Sequence, residues 1–88
     1  MSLDLTNKRM TVKILDALNT IFQEELDDPS LQITRELSQD DLQTWDSLAH
    51  VRIIASIEER FGFQFSLNQI EEATSVGALM DIIAANAA

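Results

Sequence analysis

Apolar positions recur at four-residue steps through the first part of the chain. Met10, Ile14, Leu18 and Phe22 fall on one line, with Leu15 and Ile21 beside it. That is the stripe of an amphipathic helix. The pattern predicts a helix from about Thr6 to Leu26, capped by Asp4 or Thr6. Asp27-Asp28-Pro29-Ser30 stops it, because proline cannot continue a helix. The period is lost over residues 27–45. There Leu31, Ile33, Leu37 and Leu42 are scattered among polar residues, as in a loop pinned to a core, with one helical turn near Gln39–Gln43. So long a loop in so short a chain points to function.

The period returns at Asp46. Set at about 100° per residue, Ile53, Ile54, Ile57 and Phe61 share one side of a helix ending near Phe61. Asp46 or Ser47 suits its N-cap, Arg60 its last turn, and Gly62 the left-handed position past its end. Ser66 and Gln69 have the capping-box spacing and open a short helix, Leu67–Glu72. Thr74 or Ser75 caps a last helix with Val76, Leu79, Met80 and Ile83 as its stripe. Phe63-Gln64-Phe65 alternates but is too short to build a sheet. The predicted fold is all-α: a small four-helix bundle, three main helices plus one short helix, with a long loop between the first and second helices.

Composition narrows the function. Eighty-eight residues make one domain, 1–88, with residues 84–88 as a small-residue tail expected to fray. Having no cysteine, the chain forms no disulfide and no thiolate metal site. Fifteen acidic against six basic residues give a net charge of −9. That charge disfavours nucleic-acid phosphates and anionic membranes, and favours proteins with basic surfaces. No apolar run approaches the roughly 20 residues that span a bilayer. The N-terminus lacks the charged-then-apolar layout of a signal peptide, so a cytoplasmic protein is expected. Asp27-Asp28 and Asp40-Asp41 lack calcium-loop spacing, and no glycine-rich phosphate loop is present.

The second helix carries two faces. Opposite the isoleucine stripe lie Leu48, Val51 and Ala55, in company with Arg52, Glu58 and Glu59. Single exposed apolar residues are common, but apolar residues ringed by charge make a transient docking surface. Ser47 stands at the N-terminal end of this helix. It is either a simple cap or an exposed hydroxyl where free amides and the helix dipole favour a phosphate. His50, the chain's one histidine, is a turn away. Residues three apart on a helix diverge, and no third group orients the ring, so a Ser–His catalytic pair is disfavoured. His50 fits better as a boundary residue near the core, and Trp45 as an apolar plug of the loop.

Trp45-Asp46-Ser47-Leu48, followed by Ala49-His50-Val51, resembles the Asp-Ser-Leu motif of acyl carrier proteins. Ile57-Glu58-Glu59-Arg60-Phe61-Gly62 resembles the end of that family's second helix, and Thr74-Ser75-Val76-Gly77-Ala78-Leu79 the start of its last. Between Ser47 and Val76 the pattern fits without a gap. The resemblance implies a carrier, not an enzyme. Ser47 would bear 4′-phosphopantetheine from coenzyme A, whose terminal thiol holds acyl groups as thioesters. Asp46 would help the modifying phosphopantetheinyl transferase recognise the site. Asp46, Leu48, Val51, Arg52, Ala55, Glu58 and Glu59, with Glu71 and Glu72, would dock the basic surfaces of acyl-activating, acyltransferase or synthase enzymes. An acyl chain folded inward would line up along Ile54, Ile57, Met80 and Ile83. The carrier would be a monomer, neither bound to nucleic acid nor inserted in membrane.

Members serving fatty acid synthesis usually carry acids where this chain has Ala49 and Arg52. Their Gly-Ala before the motif is Thr44-Trp45 here, and their Ile-Pro after the second helix is Phe65-Ser66. The form found here looks more like stand-alone carriers of specialised lipid, polyketide or related pathways. Two alternatives stay open: an aminoacyl or peptidyl carrier, and an unmodified acidic helical adaptor for basic partners.

Overall fold

The computed structural model describes the backbone of residues 2–86 and the side chains of residues 10–86. Four helices follow one another: α1 (Ser2–Glu25), α2 (Ser47–Phe61), α3 (Leu67–Glu72) and α4 (Val76–Asn86). The loop between α1 and α2 contains one 3-10 turn, Gln39–Asp41. The expected small helical bundle is what the chain forms. Among the described residues the sole strand-like pairing is an isolated bridge between Ser38 and Ser75.

α1 starts four residues before the position that periodicity suggested, so Asp4 and Thr6 lie inside the helix and do not cap it. Neither glycine nor proline interrupts residues 2–6, and nothing there stops the helix from extending. Its other end closes ahead of Pro29. Asp27 adopts a left-handed conformation, φ 53°, and the Asp28 N–H donates to the Gln23 carbonyl at 2.9 Å. This crossed bond satisfies a helix-end carbonyl that has no partner within the helix.

The core gathers Ile14, Leu18, Ile21 and Phe22 of α1, Ile53, Ile54 and Ile57 of α2, and Val76, Leu79, Met80 and Ile83 of α4. Trp45, 1% exposed, closes it from the loop and meets Phe22 edge-on, ring centroids 4.8 Å apart. That geometry suits the ring quadrupoles and adds to the burial of two large side chains.

The loop is fastened to the bundle by packing and hydrogen bonds. Ile33 is buried, and Leu31, Leu37 and Leu42 pack against the core. Gln23 Nε2 donates to the Leu31 carbonyl at 2.8 Å, and the Ile33 N–H donates to Asn19 Oδ1 at 2.7 Å. Farther on, the loop lies across the start of α4. The Gln39 N–H donates to the Thr74 carbonyl, the Val76 N–H to the Leu37 carbonyl and the Gly77 N–H to the Arg35 carbonyl, at 2.8–2.9 Å. The first amides of a helix lack partners within it, and here loop carbonyls supply them. The approach is close. A Cβ on Gly77 would stand 3.0 Å from Arg35 Cγ and 3.1 Å from the Arg35 carbonyl oxygen.

Between the two expected caps of α4 the structure chooses Ser75, whose Oγ accepts the Ala78 N–H at 3.1 Å. The tail expected to fray is helical and exposed as far as Asn86, and Ala87 and Ala88 lie outside the described residues. The Ser66–Gln69 capping box forms as predicted and starts α3.

Candidate functional site

Asp46 sets the start of α2. Its backbone is extended, and Oδ1 accepts the Ala49 N–H at 2.9 Å. Ser47 is therefore the first residue of the helix, exposed, with its hydroxyl beyond the cap. A polar and apolar groove of about 400 Å³ opens beside it. Gln39 of the loop, His50 and Val51 of α2, and Ile70, Glu71 and Thr74 of the α3 region line that groove. The volume falls within the range of small-molecule pockets.

His50 lines the groove on its inner side, with the buried Trp45 bonded to it. The Trp45 indole N–H donates to His50 Nδ1 at 2.9 Å, and His50 Nε2 bonds the Ile70 carbonyl, also at 2.9 Å. His50 is 7% exposed, so the boundary position expected from sequence holds. Both ring nitrogens are engaged away from Ser47, which leaves the ring no role as a base toward the hydroxyl.

The outer face of α2 presents Leu48 at 73% exposure and Val51 at 61%, with Ala55 and Glu59 exposed beside them. Two of the charged residues expected on this face are tied to the fold. Arg52 Nε lies 3.5 Å from Glu25 Oε1 at the end of α1, and its guanidinium also reaches the Glu25 carbonyl. Glu58, half-buried, accepts the Phe65 N–H at 2.9 Å and so anchors the turn after α2. Glu71 and Glu72 are exposed on α3. Ile54, Ile57, Met80 and Ile83 are all sealed in the core, at most 3% exposed. Met80 also faces a separate hollow of about 180 Å³ between α1 and α4, floored by Met10 and Ile14 and roofed by the Arg35–Asp81 ion pair.

Gln39, Ile70 and Thr74 were not foreseen as site residues. They come from a loop and a short helix, and only the folded chain brings them to Ser47. The Trp45–His50 bond did have a signal: a buried indole N–H needs an acceptor, and His50 is the near polar side chain.

A profile for the family described as "Phosphopantetheine attachment site" matches residues 16–83, most of the chain. The chain belongs to the acyl carrier protein family. Its fold is similar to the solution NMR structure of the holo acyl carrier protein from Geobacter metallireducens. The two share 39% sequence identity and a TM-score of 0.75, over 82% of this chain and 83% of that one. No curated protein matches. Acyl carrier proteins are carriers and not enzymes, and their prosthetic group is 4′-phosphopantetheine. The residues around Ser47 fit that group: an exposed residue with a hydroxyl at the first position of α2, and a groove of about 400 Å³ beside it. No helix of the described residues is long and apolar enough to cross a membrane.

Proposed function

We propose that Ser47 carries the phosphopantetheine arm, and that the protein presents acyl groups on it to the enzymes of a specialised lipid, polyketide or related pathway. One observation carries the choice of residue. Six serines lie within the matched segment, and five of them have their hydroxyls engaged. Ser30 bonds Asp28, Ser38 bonds Asp41, Ser56 bonds Glu25, Ser66 accepts from Gln69 and Ser75 accepts from Ala78. Among the described residues Ser47 alone keeps its Oγ without a hydrogen-bond partner, and it is the one that opens onto a groove.

The arm supplies a thiol that holds acyl groups as thioesters. The chain's own residues do the rest. Asp46 fixes the helix start, so Ser47 Oγ projects where a transferase can bring it to the phosphorus of coenzyme A. The first-turn amides and the helix dipole stabilise the phosphodiester charge. Leu48, Val51, Ala55 and Glu59 give partner enzymes an apolar patch with acidic company, and Glu71 and Glu72 extend the negative field toward basic docking surfaces. Arg52 and Ala49 stand where carriers of fatty acid synthesis usually have acids, which supports a different set of partners.

Incubation with coenzyme A and a broad-specificity phosphopantetheinyl transferase should add one arm, read by intact mass. Ser47→Ala should abolish the addition. An unchanged adduct in Ser47→Ala would overturn the assignment.

A further inference from the structure

His50 is the one polar residue buried among the described residues, and carrying an arm gives it no task. Its partners fix its chemistry. An indole N–H can only donate, so His50 Nδ1 accepts from Trp45 and the ring hydrogen sits on Nε2, aimed at the Ile70 carbonyl. The two bonds run from the last stretch of the loop, through α2, to α3. They close the groove on its inner side, since His50 and Ile70 both line it. On the core side Ile53, Ile54 and Ile57 are sealed. An alkyl chain passing from the groove into the core would part these groups and leave a buried donor or acceptor unpaired. At the outer rim Gln39, Glu71 and Thr74 offer polar partners, beside a short apolar wall of Val51 and Ile70.

Resting on attachment at Ser47, we infer that the Trp45–His50–Ile70 array is a latch that keeps long alkyl chains out of the core. The carrier is built for short acyl groups, which stay in the groove or in solvent. His50 is the specificity-determining residue, and Trp45 is a positioning residue that holds its ring.

The test loads the holo protein with acetyl or octanoyl groups. Peptide mapping first locates the arm, so that an arm found away from Ser47 counts against the attachment site and is told apart from failure of the latch. Wild-type protein should melt at the same temperature with either cargo, show no cargo contacts to Ile54 or Ile57 by NMR, and keep its Trp45 indole N–H resonance in place. In His50→Ala, octanoyl should raise the melting temperature by about 4 °C or more over acetyl, and contacts to both isoleucines should appear. Octanoyl contacts to Ile54 and Ile57 in wild type, with the Trp45 resonance unmoved, would overturn the latch. So would exclusion of octanoyl from a folded His50→Ala. If His50→Ala fails to fold, His50→Val keeps more of the ring's volume and takes its place, and the wild-type arm is decisive alone.

Discussion

The Asp46 carboxylate accepts the Ala49 N–H at 2.9 Å, directly beside Ser47. One side chain thus caps α2 and sets an acid next to the proposed attachment oxygen. The two roles separate by substitution. Asparagine keeps the accepting oxygen and drops the charge. Asp46→Ala should lower stability by about 1 kcal/mol, read as the urea midpoint, whereas Asp46→Asn should stay close to wild type. If the transferase reads the charge, Asp46→Asn will take the arm more slowly at unchanged stability. Equal rates would leave Asp46 as a cap alone.

Removing the His50 ring should cost more than its size implies. His50→Leu leaves the Trp45 indole N–H without its acceptor in the core, and an unsatisfied buried donor costs about 1–3 kcal/mol. Trp45→Phe removes the donor instead, together with packing against Phe22. The double variant should lose less than the sum of the singles, by about 1 kcal/mol, because the orphaned donor is gone. Strict additivity in urea unfolding would mean that the bond contributes no coupling.

Arg52 bridges α2 to the end of α1 through Glu25, but its side chain is 54% exposed. Exposed pairs contribute at most about 1 kcal/mol, so Arg52→Gln should be nearly silent in stability. Arg52→Glu faces Glu25 with a like charge and should lower the melting point slightly at low salt. That loss should vanish as salt rises, because screening acts over about 8–10 Å at physiological ionic strength. The same variant should dock better to basic enzymes of fatty acid synthesis, with a gain that also fades with salt. A gain in acyl-transfer rate that ignores salt would refute a charge mechanism.

Gly62 ends α2 at φ 75°, and no residue other than its immediate chain neighbours comes within 4 Å of where a Cβ would sit. The strain of an alanine there is purely conformational. Gly62→Ala should cost about 1 kcal/mol and Gly62→Asn less, since asparagine tolerates the left-handed region. Thermal or urea unfolding checks the order, and an alanine variant as stable as wild type would contradict it.

Local chemistry made much of this fold legible in the sequence. Asp46, Gly62 and the Ser66–Gln69 box act on backbone three or four residues away, so their spacing alone places helix ends. The Asp-Ser-Leu segment and the stretches matching it downstream made the family legible in the same way. Relations across the chain were not. Glu58 looks like a solvated acid at a helix end, yet it holds the Phe65 amide, because the turn after α2 folds back on it. Arg52 meets Glu25 across 27 residues. The groove walls Gln39 and Thr74 carry no pattern of their own, since their places depend on how the loop crosses α4. The start of α1 was missed for a simpler reason: nothing in residues 2–6 breaks a helix, and a cap-like residue caps only where the backbone turns.

The carbonyls of Arg35 and Leu37, lying over the first amides of α4, have a kinetic corollary. The N-terminal turn of α4 is capped by a segment some forty positions upstream. Loop and last helix should therefore form and dissolve as one cooperative unit. The Val76 and Gly77 amides should exchange with solvent deuterium only through openings that also release residues 35–39. The chain could then be cut and rejoined near Pro29–Ser30, where the backbone is exposed, but not at Leu37–Gln39 without unfastening the far end of the bundle.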